Sequence, residues 1–237
     1  MTARVLITGA GSGIGLAVAR RVVVRGMRAI LWDISAPALE AARAELGDSV
    51  ETRQVDVSDA QAVNEAAASL EGVTHLVNNA GILGHRMDWH DLDPAEVARV
   101  LAINVTGFMQ VAACFIAARS PHPAAAMVNM ASIAGENGGA PGFASYGASK
   151  GAIMALTRAM ARDFAPEVRV NALSPGIIDT PIQDAVMTDA AARARAAEGI
   201  PMQRMGSSDE VAEAAEWLLF DASYTTGEII RIAGGRR

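Results

Sequence analysis

The stretch "RVLITGAGSGIGLAVARRVVVRG" (residues 4–26) decides the fold, because a glycine-rich turn joins a short apolar segment to a helical pattern. Residues 4–9 are mostly aliphatic and β-branched, which predicts a buried strand. Residues 13–26 carry apolar side chains at helical spacing and end at Gly26, a common helix stop. This order of elements is typical of a parallel sheet covered by helices.

The same alternation of strand and helix continues to the end of the chain. Further strands are predicted at residues 28–33, 50–57, 74–81, 125–132, 168–176 and 227–235, and helices at 36–46, 58–71 (with Ser58 as its cap), 94–118, 146–164 and 208–220. The pattern predicts an α/β fold, a Rossmann-type doubly wound parallel sheet of about seven strands with helices on both faces. No linker or repeat divides the chain, so we predict one dinucleotide-binding catalytic domain over residues 1–237.

One segment, residues 177–207, does not fit the alternation, and we call it the lid segment. An excursion of this length in a small domain is usually a functional lid or a binding loop. We therefore expect it to set substrate specificity together with the loops at 82–93 and 133–145. Side chains that could line a pocket there are Glu136, Asn137, Gln183 and Met187.

Composition excludes several classes of protein. The chain is 51% apolar and 19% charged, which argues against disorder, and its net charge of −6 argues against nucleic-acid binding. The single cysteine, Cys114, excludes a disulfide framework and favours the reducing cytoplasm. No continuous apolar run reaches about 18 residues, so no membrane span is expected. The four histidines have no metal-ligand spacing, so no metal site is predicted; they are His75, His85, His90 and His122.

The glycine-rich turn is predicted to bind the phosphates of a dinucleotide. Gly9 permits the tight turn, Gly13 lets the backbone approach a pyrophosphate, and Gly15 allows the helix to pack closely on the strand. The helix that follows presents free N–H groups and a positive dipole end to the phosphates.

Asp33 ends the second predicted strand, where a carboxylate can accept hydrogen bonds from a ribose diol and repel a 2′-phosphate. Neither Ser12 nor Ile34 is an arginine that could receive such a phosphate. The sequence therefore predicts NAD rather than NADP as the cofactor. The alternative is that Asp33 is only a solvated charge at a strand end.

Three motifs together resemble the short-chain dehydrogenase/reductase family over essentially the whole chain. They are the Thr-Gly-x3-Gly-x-Gly turn (8–15), "NNAG" (78–81) and Tyr-x3-Lys (146–150), which occur in the family's order and spacing. The resemblance implies an oxidoreductase that transfers a hydride between a nicotinamide cofactor and a secondary alcohol or ketone, such as a sugar, a polyol or a small hydroxy compound.

The resemblance also implies roles for individual residues. Asn104, Ser132, Tyr146 and Lys150 correspond to the family's catalytic residues. Tyr146 would be the general acid or base, and Lys150 would lower its pKa and hold the nicotinamide ribose. Ser132 would hydrogen-bond the substrate oxygen, and Asn104 would support a water-linked proton route. The implied cofactor-binding residues are Gly9, Ser12, Gly13, Ile14, Gly15, Asp33, Asp56, Val57, Asn79, Ala80, Gly81, Tyr146, Lys150, Pro175, Gly176, Ile178 and Thr180.

Elementary chemistry supports the Tyr–Lys pair. An unperturbed tyrosine has a pKa of about 10, which makes it a poor base near neutrality. Residues four apart on a helix lie roughly 5–6 Å apart at Cβ, so Tyr146 and Lys150 share one face. An adjacent ammonium group favours the phenolate form.

The sequence departs from the family pattern at two places. Ala233 stands where many members carry an aspartate, and residues 118–130 form a short, proline-containing connection before the strand that ends at Ser132. Neither departure removes a predicted catalytic residue.

Two other functions remain open: a 3-oxoacyl-thioester reductase and a non-catalytic NAD-binding regulator. Asp33 argues against the first, because such reductases usually take NADP. The presence of both Tyr146 and Lys150 argues against the second. The helices at 104–118 and 146–164 are apolar on more than one face, so we also expect a homo-oligomer, a dimer or a tetramer.

Overall fold

The computed structural model describes residues 3–184, 186–187 and 189–237. One sheet contains seven strands in the order β3-β2-β1-β4-β5-β6-β7, and every neighbouring pair is parallel. The strands are β1 Arg4–Thr8, β2 Arg28–Asp33, β3 Val50–Gln54, β4 His75–Asn78, β5 Ala126–Met130, β6 Arg169–Pro175 and β7 Ile229–Ile232. The strand order reverses between β1 and β4, which places a crevice at the carboxyl ends of these strands. The predicted doubly wound sheet is confirmed.

Helices cover both faces of the sheet. They are α1 Gly13–Val24, α2 Ala36–Leu46, α3 Ala60–Ala67, α4 Pro94–Leu101, α5 Phe108–Ala118, α6 Ala134–Asn137, α7 Ala144–Asp163, α8 Ala190–Glu198 and α9 Ser208–Phe220. One apolar core lies between the sheet and α1, α2 and α9, and a second lies between the sheet and α3, α5 and α7. A π-helical turn, Ala102–Gly107, joins α4 to α5.

Several predicted boundaries were wrong by a few residues, most clearly after β3. The strand predicted over residues 50–57 ends at Gln54. Beyond it, the Asp56 carboxylate accepts hydrogen bonds from the backbone N–H and the hydroxyl of Ser58, which turns the chain out of the sheet. Ser58 is therefore not the helix cap; Asp59 caps α3.

The continuous helical stretch Pro94–Ala118 is long and apolar enough to cross a membrane, by length and composition alone. The sequence analysis predicted a helix over residues 94–118 but expected no membrane span. In this fold Phe108, Val111 and Phe115 are buried in the core beneath the sheet. A buried core helix meets the same criteria, so the stretch is weak evidence for a membrane span.

The lid segment leaves the sheet after β6 and returns at α9. It contains a short turn, Pro181–Gln183, and helix α8. Its two ends are joined, because Ile178 bridges to Gly206 and the Asp179 N–H donates a 2.9 Å hydrogen bond to the Gly206 carbonyl. The lid segment is thus a loop-plus-helix excursion that begins and ends beside the carboxyl end of β6.

Candidate active site

A cavity of about 290 Å³ lies at the carboxyl ends of the central strands, where the strand order reverses. It collects most of the residues that the sequence singled out. The predicted residues that line it are Gly9, Ser12, Gly13, Ile14, Asp33, Asp56, Val57, Asn79, Ala80, Gly81, Ser132, Tyr146, Lys150, Pro175, Gly176, Ile178 and Thr180. Two predicted residues, Gly15 and Asn104, are not among the residues that line the cavity.

The glycine-rich turn has the shape that a dinucleotide requires. Gly9 and Gly13 have φ angles of +62° and +52°, which side chains rarely adopt. A Cβ atom on Gly15 would lie 2.1 Å from the Gly9 carbonyl oxygen, so only glycine lets α1 pack against the turn. Ser12 precedes α1 and makes no side-chain capping bond there. Among the described residues no side chain accepts from the N–H groups at the start of α1, which therefore suit a phosphate.

The segment after β4 is bonded to this turn. The Asn79 side-chain amide donates to the carbonyls of Thr8 (2.9 Å) and Gly9 (3.1 Å). The Thr8 hydroxyl accepts hydrogen bonds from the N–H groups of Asn79 and Ala80. These bonds hold residues 78–81 beside the central strand and at the edge of the cavity.

Asp33 is oriented by two backbone donors. Its Oδ2 accepts a 2.8 Å hydrogen bond from the Gly11 N–H, and its Oδ1 accepts a 2.9 Å hydrogen bond from the Ser35 N–H. No arginine is among the described residues that line the cavity. The cavity therefore presents a fixed carboxylate, and not a cation, at the end of β2.

Ser132, Tyr146 and Lys150 meet at the other end of the cavity. Ser132 follows β5, while Tyr146 and Lys150 lie on α7 one turn apart. The Lys150 Nζ donates a 2.7 Å hydrogen bond to the Met130 carbonyl and lies 5.6 Å from the centre of the Tyr146 ring. The spacing of four residues thus directs both side chains to the carboxyl end of β5.

Burial controls the pKa values of this pair. Burial raises the pKa of Tyr146 above its usual value, although the Ser132 hydroxyl acts in the opposite direction. Burial also lowers the pKa of Lys150 to about 8. The sequence analysis expected Lys150 to lower the Tyr146 pKa. In this structure the cost of burying a phenolate dominates, and the Tyr146 pKa is raised instead.

Asn104 lies in the π-helical turn and is fully buried. Its Oδ1 accepts from the Ile82 N–H (2.8 Å), and its Nδ2 donates to the Ile82 carbonyl (2.8 Å) and to Ser149 Oγ (3.0 Å). The amide therefore joins the loop after β4 to α7. It does not line the cavity.

Ser149 is a residue that the sequence analysis missed. Its buried hydroxyl accepts from Asn104 and donates a 2.7 Å hydrogen bond to the backbone carbonyl of Tyr146. The available signal was its position, three residues after Tyr146 and directly before Lys150. A polar residue there, on the buried face of α7, requires a partner.

Only one of the four residues that were suggested to line a pocket lies at the cavity. Gln183 lines the cavity, whereas Glu136, Asn137 and Met187 do not. The Glu136 carboxylate instead binds Ser174 and Arg231. Lining residues that the sequence analysis did not identify are Trp32, Ile34, Val55, Ile82, Ile103, Met130, Ala131, Pro181 and Ile182.

Comparisons with known proteins place this chain in a family. The family model described as enoyl-(acyl carrier protein) reductase matches residues 9–237. The chain belongs to the short-chain dehydrogenase/reductase family, which confirms the predicted resemblance.

One curated relative and two solved structures illustrate the range of this family. Galactitol 2-dehydrogenase (L-tagatose-forming) of Cereibacter sphaeroides is 42% identical, over 97% of this chain and 92% of that protein. A glucose/ribitol dehydrogenase from Brucella melitensis superposes with a TM-score of 0.92 at 32% identity, covering 98% of this chain and 96% of that one. A 3-ketoacyl-(acyl-carrier-protein) reductase from Brucella melitensis, complexed with NADH, has a TM-score of 0.91 at 32% identity, covering 99% and 98%. The relatives support an oxidoreductase that acts on CH–OH groups.

Proposed function

We propose that this protein is an NAD-dependent dehydrogenase that interconverts a secondary alcohol group of an uncharged polyol, or of a similarly small hydroxy compound, with the ketone. The observation that carries the proposal is the layout of one cavity. Tyr146, Ser132 and Lys150 lie at one end, and the glycine-rich turn and Asp33 lie at the other. A dinucleotide that binds the turn through its phosphates could extend along this cavity to Tyr146.

The cavity residues fit a nicotinamide dinucleotide. The turn at residues 9–15 would hold the pyrophosphate, Asp33 the adenosine ribose, and the segment 175–180 the nicotinamide end. When bound, the cofactor would accept or supply the hydride. Asp33 supports NAD, because its carboxylate would repel the 2′-phosphate of NADP.

This chain's own residues would move the proton. The Tyr146 hydroxyl would take the proton of the substrate alcohol during oxidation and return it during reduction. The Ser132 hydroxyl would donate a hydrogen bond to the same oxygen. With a pKa of about 8, Lys150 is mostly charged at pH 7, and its ammonium would favour the Tyr146 phenolate.

The lining of the cavity near Tyr146 supports an uncharged substrate. The described lining of the cavity includes the polar side chains of Ser132 and Gln183 and the apolar side chains of Ile82 and Ile182. Apart from Lys150, the described lining has no charged side chain at this end that could pair with a substrate carboxylate or phosphate. Hydroxyl-binding groups beside apolar walls suit a polyol, which is the kind of substrate named for the galactitol dehydrogenase.

A second candidate function is reduction of a 3-oxoacyl thioester. The observation that favours it is the likeness to the 3-ketoacyl-(acyl-carrier-protein) reductase, whose solved structure holds NADH. Because that protein is complexed with NADH, Asp33 by itself does not separate the two candidates. The two candidate functions are distinguished by the substrate that the protein prefers.

A substrate panel tests the proposal. Galactitol, other polyols, simple secondary alcohols and, in the reverse direction, acetoacetyl-CoA are each assayed with both cofactors by the absorbance of the reduced nicotinamide. We expect the highest kcat/KM for a polyol with NAD, and Asp33→Ala should lower kcat/KM with NAD while raising it with NADP. A higher kcat/KM for acetoacetyl-CoA, or a preference of the wild type for NADP, would contradict the proposal.

We also propose that the protein is a homo-oligomer, built through the outer faces of α5 and α7. Leu101 at the end of α4 and Met109 on α5 are exposed large apolar residues, and Ala148 and Ala155 are exposed on α7. Small and apolar residues on the solvent side of helices favour close packing against a second copy. Light scattering at micromolar concentration should give a dimer or a tetramer, and a monomer would contradict the proposal.

A cytoplasmic location is part of the same proposal. Cys114 is partly buried, and burial raises its pKa above the usual value, so its thiol is poorly reactive. A chain with a single cysteine cannot form an intramolecular disulfide, which favours the reducing cytoplasm over an oxidising compartment.

A further inference from the structure

The Ser132 hydroxyl lies between the short helix α6, which begins two residues later, and the end of β6, where it donates a 3.5 Å hydrogen bond to the Pro175 carbonyl. Ser132 Oγ accepts a 3.2 Å hydrogen bond from the Ala134 N–H. The Ser132 carbonyl accepts a 2.9 Å hydrogen bond from the Gly135 N–H. A shift of α6 would therefore move the hydroxyl with it.

Helix α6 has only four residues, Ala134–Asn137, so it is too short to be stable through its own hydrogen bonds. Tertiary contacts must hold it in place. The side chain of Glu136 provides two of them, to two different strands.

Glu136 joins α6 to the carboxyl ends of β6 and β7. Its Oε1 accepts a 3.1 Å hydrogen bond from the Ser174 hydroxyl on β6, and its Oε2 pairs with the Arg231 guanidinium on β7. Next to it, Asn137 Nδ2 donates a 3.1 Å hydrogen bond to the Arg237 carbonyl. One turn of helix is thus bound to both strands and to the segment that follows β7.

The contact with Ser174 is the more important of the two. Ion pairs between partly exposed side chains usually contribute little. Ser174, by contrast, is fully buried, so its hydroxyl loses its acceptor when the Glu136 carboxylate is removed. A buried polar group without a partner is costly, and the surrounding backbone would shift to satisfy it.

We propose that Glu136 is a positioning residue, which holds the Ser132 hydroxyl in its productive place by joining α6 to Ser174 and Arg231. Glu136 does not line the cavity, so it acts through α6 and not on the substrate. The inference rests on the proposed function, in which Ser132 binds the substrate oxygen.

The test is a double-mutant cycle of Glu136→Ala and Ser132→Ala, assayed with the substrate that the wild type turns over best. Glu136→Ala alone should lower kcat roughly tenfold, because small displacements of an oriented group reduce turnover strongly, and should leave the KM for NAD unchanged. In the Ser132→Ala background, Glu136→Ala should lower kcat no further. Multiplicative effects, or an unchanged kcat in the single variant, would overturn the proposal.

Two further variants are used, one that conserves the Ser174 contact and one that replaces Glu136→Ala if that variant does not fold. Glu136→Gln retains an oxygen that can accept from Ser174, so its kcat should stay within about threefold of the wild type. If Glu136→Ala does not fold, as judged by circular dichroism, Arg231→Gln takes its place in the cycle, with a smaller loss of kcat expected and again none in the Ser132→Ala background.

The matched control is Glu167→Ala. Glu167 also pairs with an arginine, Arg119, but it lies beside the amino-terminal end of β6, at the opposite edge of the sheet. Its replacement should leave kcat unchanged. A wild-type protein without dehydrogenase activity on the whole panel would contradict the proposed function, whereas an active wild type with an equally active Glu136→Ala variant would contradict only this inference.

Discussion

Asn104 Nδ2 donates a 3.0 Å hydrogen bond to Ser149 Oγ, which joins the π-helical turn to the helix that carries Tyr146 and Lys150. The same Ser149 hydroxyl donates to the backbone carbonyl of Tyr146 at 2.7 Å. Asn104 and Ser149 are both fully buried, so solvent water cannot readily replace either partner. One hydroxyl group thus connects two of the four predicted catalytic residues.

Ser149→Ala should lower kcat/KM by roughly tenfold and also lower the Tm, because it leaves the Asn104 amide without one acceptor and frees the Tyr146 carbonyl. The measurement is steady-state kinetics on folded protein together with thermal unfolding. Thr157→Val is the matched control, since the Thr157 hydroxyl on the same helix also accepts from a buried asparagine, Asn129, and donates to a backbone carbonyl. The control should lower the Tm without changing kcat/KM, and equal kinetic losses in both variants would contradict the assigned role of Ser149.

Gly15→Ala should abolish NAD binding or prevent folding. The new Cβ atom would lie 2.1 Å from the Gly9 carbonyl oxygen, so α1 and the glycine-rich turn would have to move apart. Gly199→Ala is the control, because a Cβ atom there would lie 3.7 Å from the Ala196 carbonyl oxygen, which is an ordinary contact distance. Fluorescence titration with NADH measures the binding. Wild-type affinity in Gly15→Ala would contradict a requirement for close packing of α1 on the glycine-rich turn.

Buried His75 should make the fold sensitive to acid. Burial lowers its pKa from 6.5 to about 4. Its neutral form therefore stabilises the fold fully above pH 6.5, and this contribution of about 3 kcal/mol is lost as the pH falls from 6.5 to 4.

The free energy of unfolding of His75→Gln should accordingly depend less on pH across this window than that of the wild type, as measured by urea titration. His90→Gln replaces an exposed histidine and should keep the wild-type dependence. Parallel curves for His75→Gln and the wild type would mean that another group controls the acid limit.

Much of the fold could be predicted because buried parallel strands and amphipathic helices leave clear periodicities. The strand ends could not. Val55 and Val57 are apolar and buried, yet they lie outside β3, because the chain leaves the sheet at the Asp56 turn that lies between them. The π-helical turn at Asn104 was likewise invisible, since it does not interrupt the apolar pattern of the helix around it.

The candidate site likewise has features that the sequence could predict and features that it could not. Glycine spacing, Asp33 and the Tyr146–Lys150 pair are local patterns, so the sequence alone identified them. Glu136 was only a possible pocket residue, and the sequence could not place it because its partner, Arg231, is 95 residues away in the chain. A long-range ion pair leaves no signal in a single sequence.

The central claim is that Tyr146 transfers the substrate proton while the rest of the cavity binds the cofactor. The most direct measurement compares Tyr146→Phe with the wild type for NADH binding and for turnover of the best substrate found in the panel. Loss of one hydroxyl should reduce kcat by at least about 100-fold and leave the Kd for NADH within about twofold. Turnover of Tyr146→Phe at the wild-type rate would contradict the claim.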